Sequence, residues 1–334
     1  MASTRIYRTA GSPTLNTKHT ISMWFKRTKI TYGDCFLMDG YQDASNRFKL
    51  AFDSSDRLEL YNTHGGSYKY NVRTNRKFRD TSAFYHLVIR IDTTQASASD
   101  RVRVYVNGTE EESFNTYTDA TQNDANNVVN ESGATISIGD YQGGNNAFEG
   151  LMAHFHFIDG TSYAPTTFGE TDSSSGIWKP IVVPSVTYGN NGFFLKFENA
   201  GNLDLDSSGN NLSFTTSGTL TQMLDTPTKN FNTLNPNLIS SGVTISNSGR
   251  SFNSGSAVNY GLAGPNFALN KGKWYFEYKI GHPCAAGFIA DTYQIAERIR
   301  GNNAVGNTSE EYAWEGNGYI KTNGGQTAYG SAAS

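Results

Sequence analysis

The chain has 334 residues with 27 Lys and Arg against 30 Asp and Glu, a net charge of -3. Its basic residues are dispersed, which argues against a nucleic-acid partner or an anionic-membrane surface. Hydrophobic residues make up 37% and charged residues 17%, enough for more than one core. No apolar run approaches the roughly 20 residues of a membrane span, and MASTRIYRTAGSP lacks the apolar centre of a signal peptide. The expectation is a soluble multidomain protein folded in a cytoplasm, without membrane insertion. Aromatics at 13% and 34 glycines, interleaved with Asn, Ser and Thr, favour strands and tight turns over helices.

From Thr20 to Ile158 the chain runs through short alternating segments: TISMWFKR, FKLAF, RLELYN, FYHLVIRID, RVRVYV, TISIG and LMAHFHFI. Period-two alternation at this spacing predicts an antiparallel sandwich or barrel. FKLAFDSSDRLELYN reads as a hairpin turning at Asp53 to Asp56. In FYHLVIRID, Leu87, Ile89 and Ile91 share a buried face, while His86, Val88 and Arg90 point to a wetter one. In RVRVYV, Val102, Val104 and Val106 share a face, and Asn107-Gly108 suits the positive backbone angles of a hairpin turn.

From Gly160 to Asn237 the texture changes to Pro, Gly, Asn and Ser, with one predicted strand in GFFLKFEN. Burying Trp178, Phe193 and Phe194 is worth roughly 1.5–3 kcal/mol each, so this connector should pack against the sandwich. A second alternating region starts with GVTISNS, and GKWYFEYKIG would place Trp274, Phe276, Tyr278 and Ile280 on one face of a strand. Asn317-Gly318 is a predicted turn, and Ile295 and Ile299 could share a helical face between Asp291 and Asn307. Cys35 and Cys284 fall in different predicted domains and read as free thiols. Sequons at Asn107, Asn130, Asn211 and Asn307 are expected by chance in a chain this rich in Asn.

Several clusters could carry chemistry. Aromatic rings stack on the apolar face of a sugar while polar neighbours bond its hydroxyls. Tyr61, His64, Tyr68 and Tyr70 beside Gly65 and Gly66, and Tyr141 with Asn145 beside Gly143 and Gly144, are therefore candidate glycan-binding residues. The alternative is ring packing on a neighbouring strand or in a chain interface. His154 and His156, two apart on a strand, could ligate a metal if a carboxylate converged, or simply lie on its wetter face. DLDSSGNN lacks the twelfth-position Glu of a calcium loop and reads as a tight turn. Asp56, Glu59 and Glu110 to Glu112 read as solvated, and no nucleophile elbow, phosphate loop or cofactor motif occurs. No catalytic residue and no required cofactor are expected.

HTISMWFKRT, then YHLVIRID with VRVYVNGTE, then ISIGDY and FEGLMAHFHFIDG resemble, in order and spacing, the laminin-G-like, concanavalin A-like lectin superfamily over roughly residues 1–160. The resemblance implies an all-β, antiparallel jelly-roll lectin-like sandwich. It also implies that one calcium ion can sit at its rim, with Asp34 and Asp140 as candidates. Laminarinase-like relatives on this fold carry an E-x-D-x-x-E array that the chain lacks, which points away from an enzyme.

FHFIDG, FGE, GIWKP, TYGNNGFFLKFEN, DLDSSGNN and DTPTKNFNTLNP resemble a connector behind lectin-like domains in structural proteins of tailed, especially marine, bacteriophages. GKWYFEYKIG, AAGFIAD and EYAWEGNGYIKTNG resemble the opening of a SPRY-like sandwich. That sandwich is incomplete at Ser334 and is expected to be cut or to be completed by another chain. The expected organisation is therefore 1–160 sandwich, 161–237 connector and 238–334 SPRY-like region. The resemblance implies a noncatalytic virion surface protein, in a tail fibre or a capsid fibre or decoration, attaching to host surface glycans. Its partners would be other virion proteins, in a homo-oligomer such as a trimer. A purely structural spacer is the alternative, and a glycan-degrading virion enzyme a third reading.

Overall fold

The computed structural model describes residues 4–142, 144, 146–254, 261–279, 285–289 and 305–330. Two compact units divide the chain, Met1–Phe231 and Asn232–Ser334. The first contains β1 (Arg5–Thr9), β2 (Lys18–Arg27), β3 (Cys35–Asp43), β4 (Asn46–Phe52), β5 (Arg57–His64), β6 (Ser67–Lys77), β7 (Tyr85–Asp92) and β8 (Val102–Val106). It continues with β9 (Thr109–Glu110), β10 (Phe114–Thr118), β11 (Thr135–Ile138), β12 (Gly150–Asp159), β13 (Gly169–Thr171), β14 (Trp178–Pro180), β15 (Phe193–Leu195) and β16 (Thr215–Ser217).

Antiparallel pairing arranges these strands in two large sheets, an eight-stranded one ordered β10-β6-β5-β4-β3-β11-β1-β16 and a six-stranded one ordered β15-β12-β2-β7-β8-β9. Alternation sets what lies between them. Ile21, Met23 and Phe25 of β2, Leu87, Ile89 and Ile91 of β7, and Phe155 and Phe157 of β12 share one core with Phe48, Leu50 and Phe52 of β4 and Leu58 and Leu60 of β5. The turn at Asn107 and Gly108 has φ of 50° and 81°, as its sequence requires. The Asp53–Asp56 turn is held by Asp53 Oδ1, which accepts the N–H groups of Ser55 and Arg57.

The wetter face expected for β7 is covered instead. His86 and Val88 are fully buried, because residues 161–231 fold back over the outside of the six-stranded sheet. Phe168, with Tyr163, Val186 and Tyr188, packs on Val88, Tyr105 and Ile158, and Trp178 with Met223 packs on Trp24, Phe84 and Leu151. Lys26 is buried, and its ammonium donates to Asp225, Asn230 and the Phe231 carbonyl at 2.8–2.9 Å. All three ammonium hydrogens are thereby satisfied. The same segment supplies β15 to one sheet and β16 to the other.

Alternation also fails at His154. A bulge between Ala153 and His156 gives His154 a φ of 48°, inserting one extra residue into β12. His156 is buried against Phe194 at 3.8 Å, with Nδ1 2.9 Å from the Tyr188 hydroxyl. It is a packed residue rather than one on a wet strand face. Asp56 and Glu59, expected to be solvated, are both buried because they are ion-paired, Asp56 with Arg27 and Arg79 and Glu59 with Lys49 and Arg73. DLDSSGNN forms a turn: Asp206 accepts backbone N–H groups from Phe194, Ser208 and Leu212.

The second unit contains β17 (Leu234–Ile239), β18 (Thr244–Ser246), β19 (Ser251–Asn253), β20 (Ala263–Pro265), β21 (Ala285–Ile289), β22 (Glu311–Glu315), β23 (Tyr319–Thr322) and β24 (Gly325–Ala328). The last four form an antiparallel meander, with Asn317-Gly318 between β22 and β23. Glu311 is buried and its Oε2 accepts the N–H groups of Gly306, Asn307 and Thr308. Among the described residues no strand forms over 273–279, where one was expected at GKWYFEYKIG, and Trp274, Phe276 and Tyr278 are exposed. Ile280, Cys284, Ile295 and Ile299 lie outside the described residues. Cys35 is a free, buried thiol whose pKa burial raises.

Candidate functional site

The connector seals one outward face of the sandwich; on the other, that of the eight-stranded sheet, Tyr68 is exposed while Ser137, Asp39, Lys49 and Glu59 are buried beneath their neighbours. Leu50, Leu60 and Val72 point into the core, so their neighbours along β4, β5 and β6 point out. Register then lines these outward residues into rows. One row runs Tyr7, Ser137, Asp39, Lys49, Tyr61, Asn71 and Thr118 across seven strands. At the usual strand spacing it is about 29 Å long. A second row runs Thr9, Thr135, Tyr41, Arg47, Thr63 and Tyr68, and a third includes Ala51, Glu59, Arg73 and Thr116.

Tyr61 and Tyr68 meet edge to face with ring centres 5.4 Å apart. Tyr68 reaches this face because the register shifts between Asn62 and Thr63, leaving Lys69 unpaired. Tyr68 is 55% exposed, which makes it the accessible member of the pair. Beside the pair, Lys49 Nζ lies 2.6 Å from Asp34 and 2.5 Å from Glu59, and Arg73 closes the network on the other Glu59 oxygen. Burial alone would push Glu59 up, but its bonds to Lys49 and Arg73 hold it below its ordinary value. Lys49 is raised: burial would lower it, and the two carboxylates outweigh that.

The loop after β11 closes one side of the face. Phe36 donates its N–H to the Asn146 carbonyl at 3.0 Å, and Tyr141 stacks on Phe36 with centres 5.2 Å apart. The Arg47 guanidinium lies 4.0 Å over the Tyr141 ring. Asp39 and Asp140 are both fully buried here. Burial pushes Asp39 up to about 7, and the nearby Asp140 adds to the rise against the opposing pull of Arg47.

The candidates of the sequence thus separate. Tyr61 and Tyr68 come together on the outward face, with Tyr141 on the same sheet beyond Arg47. Tyr70 is 1% exposed and belongs to the core, because it pairs with the inward Asn62; its candidacy as a stacking residue is withdrawn. His64 sits at the hairpin tip, with Nε2 3.7 Å from Glu131, one residue beyond Thr63 and so off this face by alternation. Asn145 lies outside the described residues.

Asp34 and Asp140 do not fit a calcium site. Asp34 is engaged by Lys49, Asp140 is buried, and among the described residues no group of three His, Cys, Asp or Glu side chains could hold a metal. Sequence reasoning missed Tyr7, Tyr41, Arg47, Asn71 and Arg73, which only the cross-strand register brings into line with Tyr61 and Tyr68.

Residues 3–164 match the family described as the concanavalin A-like lectin/glucanases superfamily, of the third laminin-G type. The antiparallel two-sheet sandwich seen over those residues is a fold of the concanavalin A-like, jelly-roll kind. No curated protein matches the chain. Among solved structures it is similar to a heptameric SAP-like pentraxin of Limulus polyphemus, at 15% identity and TM-score 0.34, covering 47% of this chain and 70% of that one. It is also similar to domain 4 of a GH43 arabinanase of Geobacillus stearothermophilus in complex with arabinotriose, at 21% identity and TM-score 0.32, covering 44% and 63%. Domains LG4-5 of the mouse laminin α1 chain match at 8% identity and TM-score 0.35, covering 49% and 43%.

Proposed function

We propose that this chain is a noncatalytic surface protein of a bacteriophage virion, in a tail fibre or on the capsid, whose lectin-like domain attaches to host surface glycans. The observation that carries the glycan reading is the Tyr61 and Tyr68 pair on the outward face of the eight-stranded sheet, with Tyr68 exposed. A pyranose stacked on Tyr68 has Thr63 one strand spacing away to bond its hydroxyls, and Asn71 lies one strand spacing from Tyr61. Virion membership rests on the resemblance of the words between Phe155 and Pro236 to phage connectors. The chain would be made in the host cytoplasm and assembled with other virion proteins, as a homo-oligomer such as a trimer. The region after residue 238 would be SPRY-like.

A glycan array probed with the full chain, with calcium and with chelator, tests the reading. Selective binding lost in Tyr68→Ala supports it. A folded protein that binds nothing leaves a structural spacer of the virion. Asp39, an acid poised near neutrality beside Asp140, is the one observation favouring a glycan-degrading enzyme. Its carboxyl is sealed from solvent, and reducing-sugar release from a bound glycan would be needed to revive that reading.

A further inference from the structure

We infer that the glycan bound on this face carries a carboxylate, and that Arg47 is the residue that selects it; the inference rests on the glycan-binding reading above. The cations of the outward face differ in what their charge already meets. Lys49 is engaged by Asp34 and Glu59, Arg73 by Glu59, and Arg57 by Asp53 at 2.8 Å. Arg5 stacks on Tyr7 at 4.2 Å and donates to the Ser137 hydroxyl at 3.3 Å.

Arg47 is less fully met: it is ion-paired with Asp39 alone, its Nε 3.5 Å from that carboxylate, and this Nε makes no hydrogen bond among the described residues. The guanidinium lies over the Tyr141 ring, 4.0 Å from its centre, and the side chain is 21% exposed. A planar guanidinium fork matches a carboxylate bidentately.

The row geometry supplies the sugar that presents the carboxylate. Arg47, Thr63 and Tyr68 lie opposite one another on β4, β5 and β6, so Arg47 and Tyr68 are about 10 Å apart along the backbone. The fork lies on the far side of β4 from Tyr68, beside Asp39, Phe36 and Tyr141, so the ligand is an oligosaccharide that stacks one ring on Tyr68, crosses Thr63 and presents the carboxylate of a further sugar to Arg47. Asp39 behind the fork is buried and takes up a proton readily, which limits its opposition to an anionic ligand. The ligand class is thus a uronate- or sialate-bearing glycan.

The test is an array carrying acidic glycans beside their own methyl esters and beside neutral glycans, probed with the full chain. The inference predicts hits among the acids, binding at least tenfold weaker to the matched esters, and Arg47→Gln reduced to the ester level. Arg47→Lys, which keeps the charge and loses the fork, should lose most of the preference, and thermal melts of both variants establish that they fold. Hits that are neutral, or that bind acid and ester alike and ignore Arg47→Gln while still depending on Tyr68, overturn the carboxylate assignment and leave the glycan face standing. A folded wild-type chain with no hit overturns both.

Discussion

Lowering the pH from 7 to 5 should destabilise the Met1–Phe231 unit through histidines that the fold holds neutral. His19 and His86 are fully buried, and burial lowers them to about 4 and about 3. His86 is fixed further by its bonds: the Trp178 indole N–H donates to Nδ1 at 3.0 Å, so Nε2 carries the proton and donates to the Ser22 hydroxyl at 2.9 Å. A second ring proton would face the indole N–H. In the unfolded chain both rings return to about 6.5. Below that value the unfolded state binds protons the folded state refuses, so the stability present above 6.5 is lost as pH falls toward the folded values.

Between pH 7 and 5 each of these two histidines removes about 2 kcal/mol, about 4 kcal/mol together. His154 and His156 are also lowered by burial and act in the same direction. Asp39 opposes them. Its raised value means that the folded state takes up a proton first, returning about 2 kcal/mol over the same interval. The net is a loss of about 2 kcal/mol or more. Urea denaturation at pH 7, 6 and 5, read by pulse proteolysis of peptides from this unit, measures it. His86→Gln can keep both hydrogen bonds without titrating, and should lower the slope at pH 5 by about 1.4 kcal/mol per pH unit. Stability that is flat or rises from pH 7 to 5, or an unchanged slope in His86→Gln, refutes the reasoning.

Other expectations follow from the packing. Trp178→Ala should cost the first unit about 2–4 kcal/mol in urea denaturation, since the indole covers Trp24 and Gly108 and bonds His86. Gly108→Ala should cost about 1–3 kcal/mol by the same measurement, because its φ is 81° and a Cβ would come within 2.8 Å of that indole. Lys26→Met should cost about 3–5 kcal/mol by leaving Asp225 buried and unpaired, with Lys26→Met combined with Asp225→Leu recovering much of the loss. Tyr70→Ala should cost about 3 kcal/mol, whereas Tyr68→Ala should leave the melting temperature within a degree or two and act on glycan binding alone.

The strands and the core were largely legible because burial on one face imposes a period of two. The runs in FKLAF, RLELYN and RVRVYV place Leu50, Leu60 and Val104 where they are found. Failures came where one residue shifts the phase or a distant segment arrives. The bulge at His154 and the unpaired Lys69 each reverse the side on which their neighbours point, and no local signal marks either. The burial of His86 depends on Trp178, far along the chain, and that of Glu59 on Lys49 and Arg73 across two strand pairings. For the same reason the site was half legible. Tyr61 and Tyr68 stood out by composition, Tyr70 could not be told from them, and Arg47 acquires its neighbours Thr63 and Tyr141 only through register and a returning loop.

The central claim, that the outward face of the eight-stranded sheet is the glycan surface, is tested most directly by hydroxyl-radical footprinting of the full chain with an array-selected glycan. The account predicts that Tyr61, Tyr68 and Tyr141 become protected while Tyr163, Tyr188 and Trp178 on the sealed face do not change. Protection of the sealed face or of the Asn232–Ser334 unit, with Tyr68 unaffected, would contradict it.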